Sequence, residues 1–148
     1  MDRYHGGKIQ ITAARRAALV FVLVLCAWLV EGRARGAEWG PADSALLKKL
    51  AAAKKPAERA GTAAANRDII TEQWLYSAAG RAAALGSNYT DDTGLRMTRV
   101  VEELARARGL KGCRGAALYA RGDILLDFRY RYRDAETAYA GALALFRE

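Results

Sequence analysis

Residues 117–148 read ALYARGDILLDFRYRYRDAETAYAGALALFRE, and two helical patterns account for most of this stretch. The first pattern places Leu118, Gly122, Leu125 and Phe128 along one face. The second begins near Asp134 and places Ala135, Ala138, Tyr139, Ala142 and Phe146 in register. Side chains that recur every three or four residues share one face of a helix. The stretch therefore predicts two helices joined by the turn around residues 129–133.

This pair of helices resembles a tetratricopeptide repeat (TPR), a helical hairpin with a glycine in its first helix and spaced small residues in its second. The matching positions are Gly122, Leu118 four residues before it, and Ala135, Tyr139 and Ala142 in the second helix. Small residues let two antiparallel helices approach closely while one aromatic ring fills the gap between them. The sequence departs from the repeat in two places: one residue too many separates Gly122 from Ala135, and Arg121 occupies a usually apolar position.

A weaker second copy lies upstream, where Tyr76, Ala79 and Gly80 resemble the same bulky, small and glycine positions. Its partner helix would be 95–108, after a loop longer than in a standard repeat. The resemblance implies a short solenoid of stacked helical hairpins that binds peptides or proteins on its concave face. It also implies that the chain has no catalytic residues and no cofactor.

Helical patterns also fill the sequence between residue 38 and this hairpin, so the expected fold class is all-α. A short, peripheral helix carries Leu46, Leu47 and Leu50, is capped by Asp43 or Ser44, and leads into a stretch at 57–65 that is partly linker. A second helix starts near Asn66, with Ile70, Trp74, Ala78, Ala82 and Leu85 on one face. A third carries Met97, Val100, Val101 and Leu104, and Gly109 is its expected C-terminal stop. The glycine-rich stretch 110–115 is expected to be a joint.

The N-terminal segment has the composition of an export signal. Residues 17–30, AALVFVLVLCAWLV, are apolar, and they follow basic residues and precede a small-residue stretch at 32–37. Fourteen helical residues span roughly 21 Å, which is short for a hydrocarbon core of about 30 Å. We expect residues 1–37 to be a signal peptide, with an uncleaved membrane anchor as the alternative. The expected domains are then this segment, a short helix and linker at 38–65, and a TPR-like domain at 66–148.

Composition argues against several classes of enzyme and ligand. The single histidine, His5, lies in the N-terminal segment, so the rest of the chain offers no imidazole for catalysis or zinc binding. That segment also holds six of the 24 Lys and Arg residues and two of the 16 acids, which leaves a net charge of +4. A surplus this small is ordinary surface chemistry, and we expect no nucleic-acid partner. Cys113 is expected to be a buried packing residue.

The leading hypothesis is a non-catalytic, exported bacterial scaffold for protein–protein interactions, periplasmic or secreted, or anchored in the inner membrane. One alternative is the N-terminal helical part of a larger exported enzyme or sensor, and a third is a basic helical nucleic-acid binder that uses the tyrosines and arginines at 129–133. Leu143, Leu145 and Phe146 follow one another closely near residue 148. We expect at least one of them to be exposed and to promote self-association through this last helix.

Overall fold

A computed structural model describes residues 39–85 and 92–147, and it is all-α over these ranges. The helices are α1 (Pro41–Ala52), α2 (Pro56–Ala65), α3 (Glu72–Leu85), α4 (Thr93–Ala107), α5 (Lys111–Asp123) and α6 (Tyr132–Arg147). A π-helical turn, Ile124–Phe128, extends α5. Neither described range contains a strand. The prediction of an all-α fold is confirmed.

Helix α1 begins at a glycine cap and is tied to α3 by a tryptophan. The backbone N–H of Gly40 donates to the Asp43 carboxylate at 2.9 Å, so Asp43 assists the cap from inside the helix. The other oxygen of Asp43 accepts a hydrogen bond from the Trp74 indole N–H at 2.9 Å. The rings of Trp39 and Trp74 lie 5.4 Å apart. These contacts fix the start of α1 against α3.

The expectation that α1 is peripheral is wrong. Leu47 and Leu50 are fully buried, and they belong to the same core as Leu75, Met97 and Val101. A single stripe of leucines is enough to bury the helix because α1 packs against α4. The described part of the chain therefore has one main core that joins α1 to α3, α4 and α5.

Two predicted boundaries differ from the observed ones near α2 and α3. The stretch expected to be partly linker is helical, since Pro56 stands at the first helical position and alanines follow it. Helix α2 has no fully buried residue. Residues 66–70 form a turn, so α3 begins at Glu72 rather than near Asn66, although Ile70 is buried as the apolar pattern predicted.

The end of α4 agrees with the prediction, but the joint that follows it does not. Gly109 has a φ of 70°, and the N–H groups of Leu110 and Gly109 donate to the carbonyls of Ala105 and Arg106 at 2.9 and 3.1 Å. This is a Schellman motif, in which glycine accepts the left-handed conformation. The next helix starts at once at Lys111, so the expected joint over 110–115 is helical from its second residue.

Besides the contact of α1 with α4, most helix contacts follow the order of the chain. Neighbouring helices α3 and α4, α4 and α5, and α5 and α6 are in contact, and α3 also contacts α5. A smaller cluster between α5 and α6 contains Leu125, Ala135, Ala138 and Tyr139. The last helix is thus held almost wholly by α5 and the π-helical turn.

The signal or anchor predicted over residues 1–37 lies outside the described residues. Within 39–85 and 92–147, no helix has both the length and the hydropathy needed to cross a bilayer.

Candidate functional site: the α5–α6 hairpin

The two helices of the hairpin touch at Gly122 and Tyr139. A Cβ added to Gly122 would lie 2.5 Å from Cε1 of the Tyr139 ring. Both residues are buried. The aromatic ring therefore occupies the space that a side chain at residue 122 would need, and the two backbones approach each other across it.

A second contact of the same kind was missed from the sequence. A Cβ at Gly115 would lie 2.6 Å from the Phe146 ring. Gly115 precedes Gly122 by seven residues and Phe146 follows Tyr139 by seven, so both pairs match in an antiparallel hairpin. The seven-residue spacing of Gly115 and Gly122 could have indicated this contact. It was not recognised because residues 110–115 were interpreted as a joint and not as part of a helix.

The remaining predicted positions of the hairpin are buried or lie close to the facing helix. Ala135 and Ala142 are buried, and Leu118 places a methyl group 3.2 Å from where a Cβ on Gly141 would be. Of the five positions named from the sequence, Gly122 contacts Tyr139, Ala135 packs in the same cluster as Tyr139, Leu118 lies beside Gly141, and Ala142 is buried. Phe146 covers Gly115, and Leu143, Leu145 and Phe146 are each half-buried. The expectation of a strongly exposed apolar side chain among these three is wrong.

One edge of this contact is polar and reaches the surface. The Tyr139 hydroxyl donates to Asp123 Oδ1 at 2.8 Å, and the Tyr119 ring lies 5.6 Å from the Tyr139 ring. Asp127 is exposed on the π-helical turn, close enough to act electrostatically on Asp123. We call Tyr119, Asp123, Asp127 and Tyr139 the tyrosine–aspartate surface.

Burial changes the acid–base properties of this surface. It raises the pKa of Asp123 to about 6, the hydrogen bond from Tyr139 opposes the rise, and the Asp127 charge adds to it. The pKa of Tyr139 is also raised, first by burial and then by its hydrogen bond to Asp123. The carboxylates of Asp123 and Asp127 and the half-buried ring of Tyr119 lie on one surface. A cationic side chain suits this surface, because it would neutralise the carboxylates and contact the face of the ring.

The arginine–tyrosine turn at residues 129–133 has exposed tyrosines and a paired arginine. Tyr130 and Tyr132 are 64% and 63% exposed. Arg129 is half-buried and pairs with Asp92 at 3.2 Å. Tyr130, which lies between the π-helical turn and α6, adopts a φ of 52°.

In the weaker upstream copy of the repeat pattern, the glycine does not lie in a helix–helix contact. Gly80 is exposed on α3, and a Cβ there would meet no atom within 4 Å. Tyr76 and Ala79 are buried, so the packed face of α3 lies one residue before the glycine. A close-packing role for Gly80 is therefore wrong.

Two carboxylates of α4 and the thiol of Cys113 have structural partners. Glu102 pairs with Arg106 at 2.7 Å, and Glu103 pairs with Arg59 of α2 at 3.4 Å. Cys113 is buried, with its thiol 3.6 Å from the carbonyl oxygen of Glu72.

Comparison with known proteins adds no assignment: no family model matches this sequence, and no curated protein or solved structure matches it.

Proposed function

We propose that this protein is a non-catalytic scaffold of TPR-like type that binds a protein or peptide partner. The observation that carries the proposal is the close contact of Gly122 with Tyr139, the pair of positions that the resemblance assigns to the helix–helix interface. The order of packing supports it as well, because α3 contacts α5 in addition to the contacts between consecutive helices. Such contacts between first helices are what stacking of two hairpins requires.

The π-helical turn supports the same proposal. The sequence has one residue more between Gly122 and Ala135 than the repeat pattern allows. A π-helical turn holds one extra residue relative to an α-helical turn. Because Ile124–Phe128 lies between these two positions, it takes up the insertion while Gly122 still meets Tyr139.

The proposed binding region is the tyrosine–aspartate surface. Its exposed carboxylate at Asp127 and its half-buried groups at Tyr119 and Asp123 favour a peptide that carries lysine or arginine. Aromatic groups flanked by polar ones are common at the centre of protein interfaces.

A peptide selection tests this function. Peptides displayed on phage are selected against the full-length protein, and their affinities are then measured for the wild type, Asp127→Lys and the control Asp68→Lys. Both variants place the same charge reversal on an exposed residue. We expect selected peptides to be rich in lysine and arginine, with a loss of about tenfold or more in affinity for Asp127→Lys alone. Failure to select any peptide, or equal affinities for the two variants, would refute the proposal.

We also propose that the scaffold is exported, on the basis of the basic, apolar and small-residue order of residues 1–37. A fusion of residues 1–45 to a reporter that is active only outside the bacterial cytoplasm tests this location. Activity is expected, and it should be lost when Leu23 and Leu25 are both replaced by arginine. An inactive wild-type fusion would overturn the proposal.

A further inference from the structure

A cleft between α1, α2 and α4 concentrates positive charge. It has a volume of about 360 Å³ and is lined by the alanines at 51–53, by Lys54, by Arg59 of α2, and by Arg96, Arg99 and Glu103 of α4. We call it the basic cleft. Its volume falls within the range of about 300 to 1,000 Å³ that is usual for small-molecule sites.

The charges of the basic cleft are unbalanced. Its one carboxylate, Glu103, is already paired with Arg59 at 3.4 Å. Arg96 donates to the Thr93 hydroxyl at 2.9 Å, which leaves its charge uncompensated. Lys54 and Arg99 form no ion pair with any residue in the described ranges. The cleft therefore presents a surplus of three positive charges.

Packing of the helices does not account for this arrangement. Helix α1 is held to α4 by buried apolar side chains such as Leu47, Leu50 and Val100, which lie in the core. Arg96 and Arg99 are three residues apart on α4, so they are neighbours and repel each other. The alanines at the end of α1 leave the space between the cations open. A concave surface of one sign of charge focuses its field and attracts counterions.

We propose that the basic cleft binds a compact polyanion, a small molecule that carries at least two phosphate or carboxylate groups. Guanidinium groups bind both kinds of oxyanion with two parallel hydrogen bonds, and Arg96 and Arg99 supply two of these groups from one helix. A volume of about 360 Å³ has room for a small molecule of this kind. The inference does not depend on the proposed scaffold function, because the cleft and the tyrosine–aspartate surface share no residue.

Titration calorimetry on the full-length protein tests the site with two probes, inorganic pyrophosphate and citrate. The variant Arg96→Gln/Arg99→Gln removes two cations from the cleft. The matched control, Arg133→Gln/Arg147→Gln, removes two exposed arginines of α6 and changes the net charge equally. We expect one or both probes to bind the wild type and the control, and to bind the cleft variant at least about tenfold more weakly.

Each outcome has a defined meaning. Binding of pyrophosphate alone assigns phosphate as the ligand group, and binding of citrate alone assigns carboxylate. No binding of either probe, or equal loss in both variants, overturns the proposal. A single-stranded oligonucleotide that binds more tightly than both probes and depends on Arg96 and Arg99 also overturns it, because the ligand would then be a nucleic acid.

Discussion

At the scale of single residues, three glycines of this chain lie in three different environments. Gly122 gives an aromatic ring access to the backbone of α5, and Gly109 ends α4 in a left-handed conformation. Gly80 does neither, since it lies exposed within α3 with open space around it. Sequence patterns identify a glycine within a helix, but the residue on the facing helix decides whether that glycine is needed.

Gly122→Ala is expected to lower the free energy of unfolding by about 1 to 3 kcal/mol, because the new methyl group would overlap the Tyr139 ring. The ring cannot easily move aside, since Tyr139 is hydrogen-bonded to Asp123 and packed beside Tyr119. Gly80→Ala is the matched control and is expected to stabilise α3 by roughly 0.5 to 1 kcal/mol. Urea unfolding monitored by circular dichroism measures both. A destabilisation that is equal in the two variants would contradict the observed contact.

Asp123→Asn is expected to stabilise the protein at neutral pH and to reduce the pH dependence of its stability. The folded-state pKa of Asp123 is about 6, against 3.8 without burial, so the folded state binds its proton more tightly than the unfolded state does. The free energy of unfolding therefore falls as pH rises from about 4 to about 6 and stays lower above that range. Asparagine carries no charge, and its oxygen still accepts the Tyr139 hydrogen bond. The gain near pH 7 should be roughly 1 to 2 kcal/mol, allowing for partial solvent screening.

Urea unfolding at a series of pH values from 4 to 7.5 checks this prediction, with the exposed Asp68→Asn as the control. The two variants should differ most at the upper end of the series. Parallel stability curves for Asp123→Asn and Asp68→Asn would show that the Asp123 carboxyl does not titrate as its burial indicates.

At the scale of elements, the sequence predicted the ends of helices well where a local signal sets them. It predicted them poorly where tertiary contacts set them. Gly109 marks the end of α4 because left-handed conformation is a property of the residue itself. The start of α5 at Lys111 is different, since a glycine-rich stretch has low helix propensity. Gly115 is helical there because Phe146 packs on it, and this contact compensates for the low helix propensity of glycine.

Gly109→Ala is expected to destabilise the protein by about 1 to 2 kcal/mol, the cost of a left-handed residue with a Cβ. The space around residue 109 is open, so strain in the backbone rather than a clash is the cause. Gly61→Ala, in the exposed and equally open α2, is the control and should raise stability slightly. Thermal unfolding of both variants measures the difference. Unchanged melting temperatures in Gly109→Ala would exclude the Schellman motif as the end of α4.

At the scale of the whole molecule, a few long-range contacts join the first helix to the rest. The hydrogen bond from Trp74 to Asp43 joins positions 31 residues apart, and the rings of Trp39 and Trp74 lie 5.4 Å apart. Together with the buried leucines of α1, these contacts make residues 41–52 part of the main core. The predicted boundary at residue 65 therefore does not coincide with a break in the packing.

Asp43→Ala is expected to lower the free energy of unfolding by about 1 to 3 kcal/mol, because it leaves the Trp74 indole N–H without its acceptor and removes the partner of the Gly40 amide. Asp68→Ala, at an exposed turn position, is the control and should change stability by less than about 0.5 kcal/mol. Tryptophan fluorescence reports both the unfolding and the local change around Trp74. Equal stability of the two variants would show that Asp43 does not hold α1 to α3.

The sequence by itself determined the helical class, most of the buried faces and the end of α4. Apolar residues repeated every three or four positions can bury a face only as a helix, so Met97, Val100 and Val101 were assigned to the core correctly. It also placed Gly122 and Tyr139 in one contact, since the resemblance to a repeat carries pairing information that a single helix does not.

Only the tertiary structure decided which glycines and charges face one another. Gly80 and Gly122 are the same residue type in similar sequence patterns, yet Gly80 faces solvent and Gly122 faces a tyrosine ring. The cations of the basic cleft come from three separate segments, and no local pattern joins Lys54, Arg59 and Arg99. Helical periodicity is a local property that neighbouring residues encode, whereas a site between helices depends on packing between residues far apart in the chain.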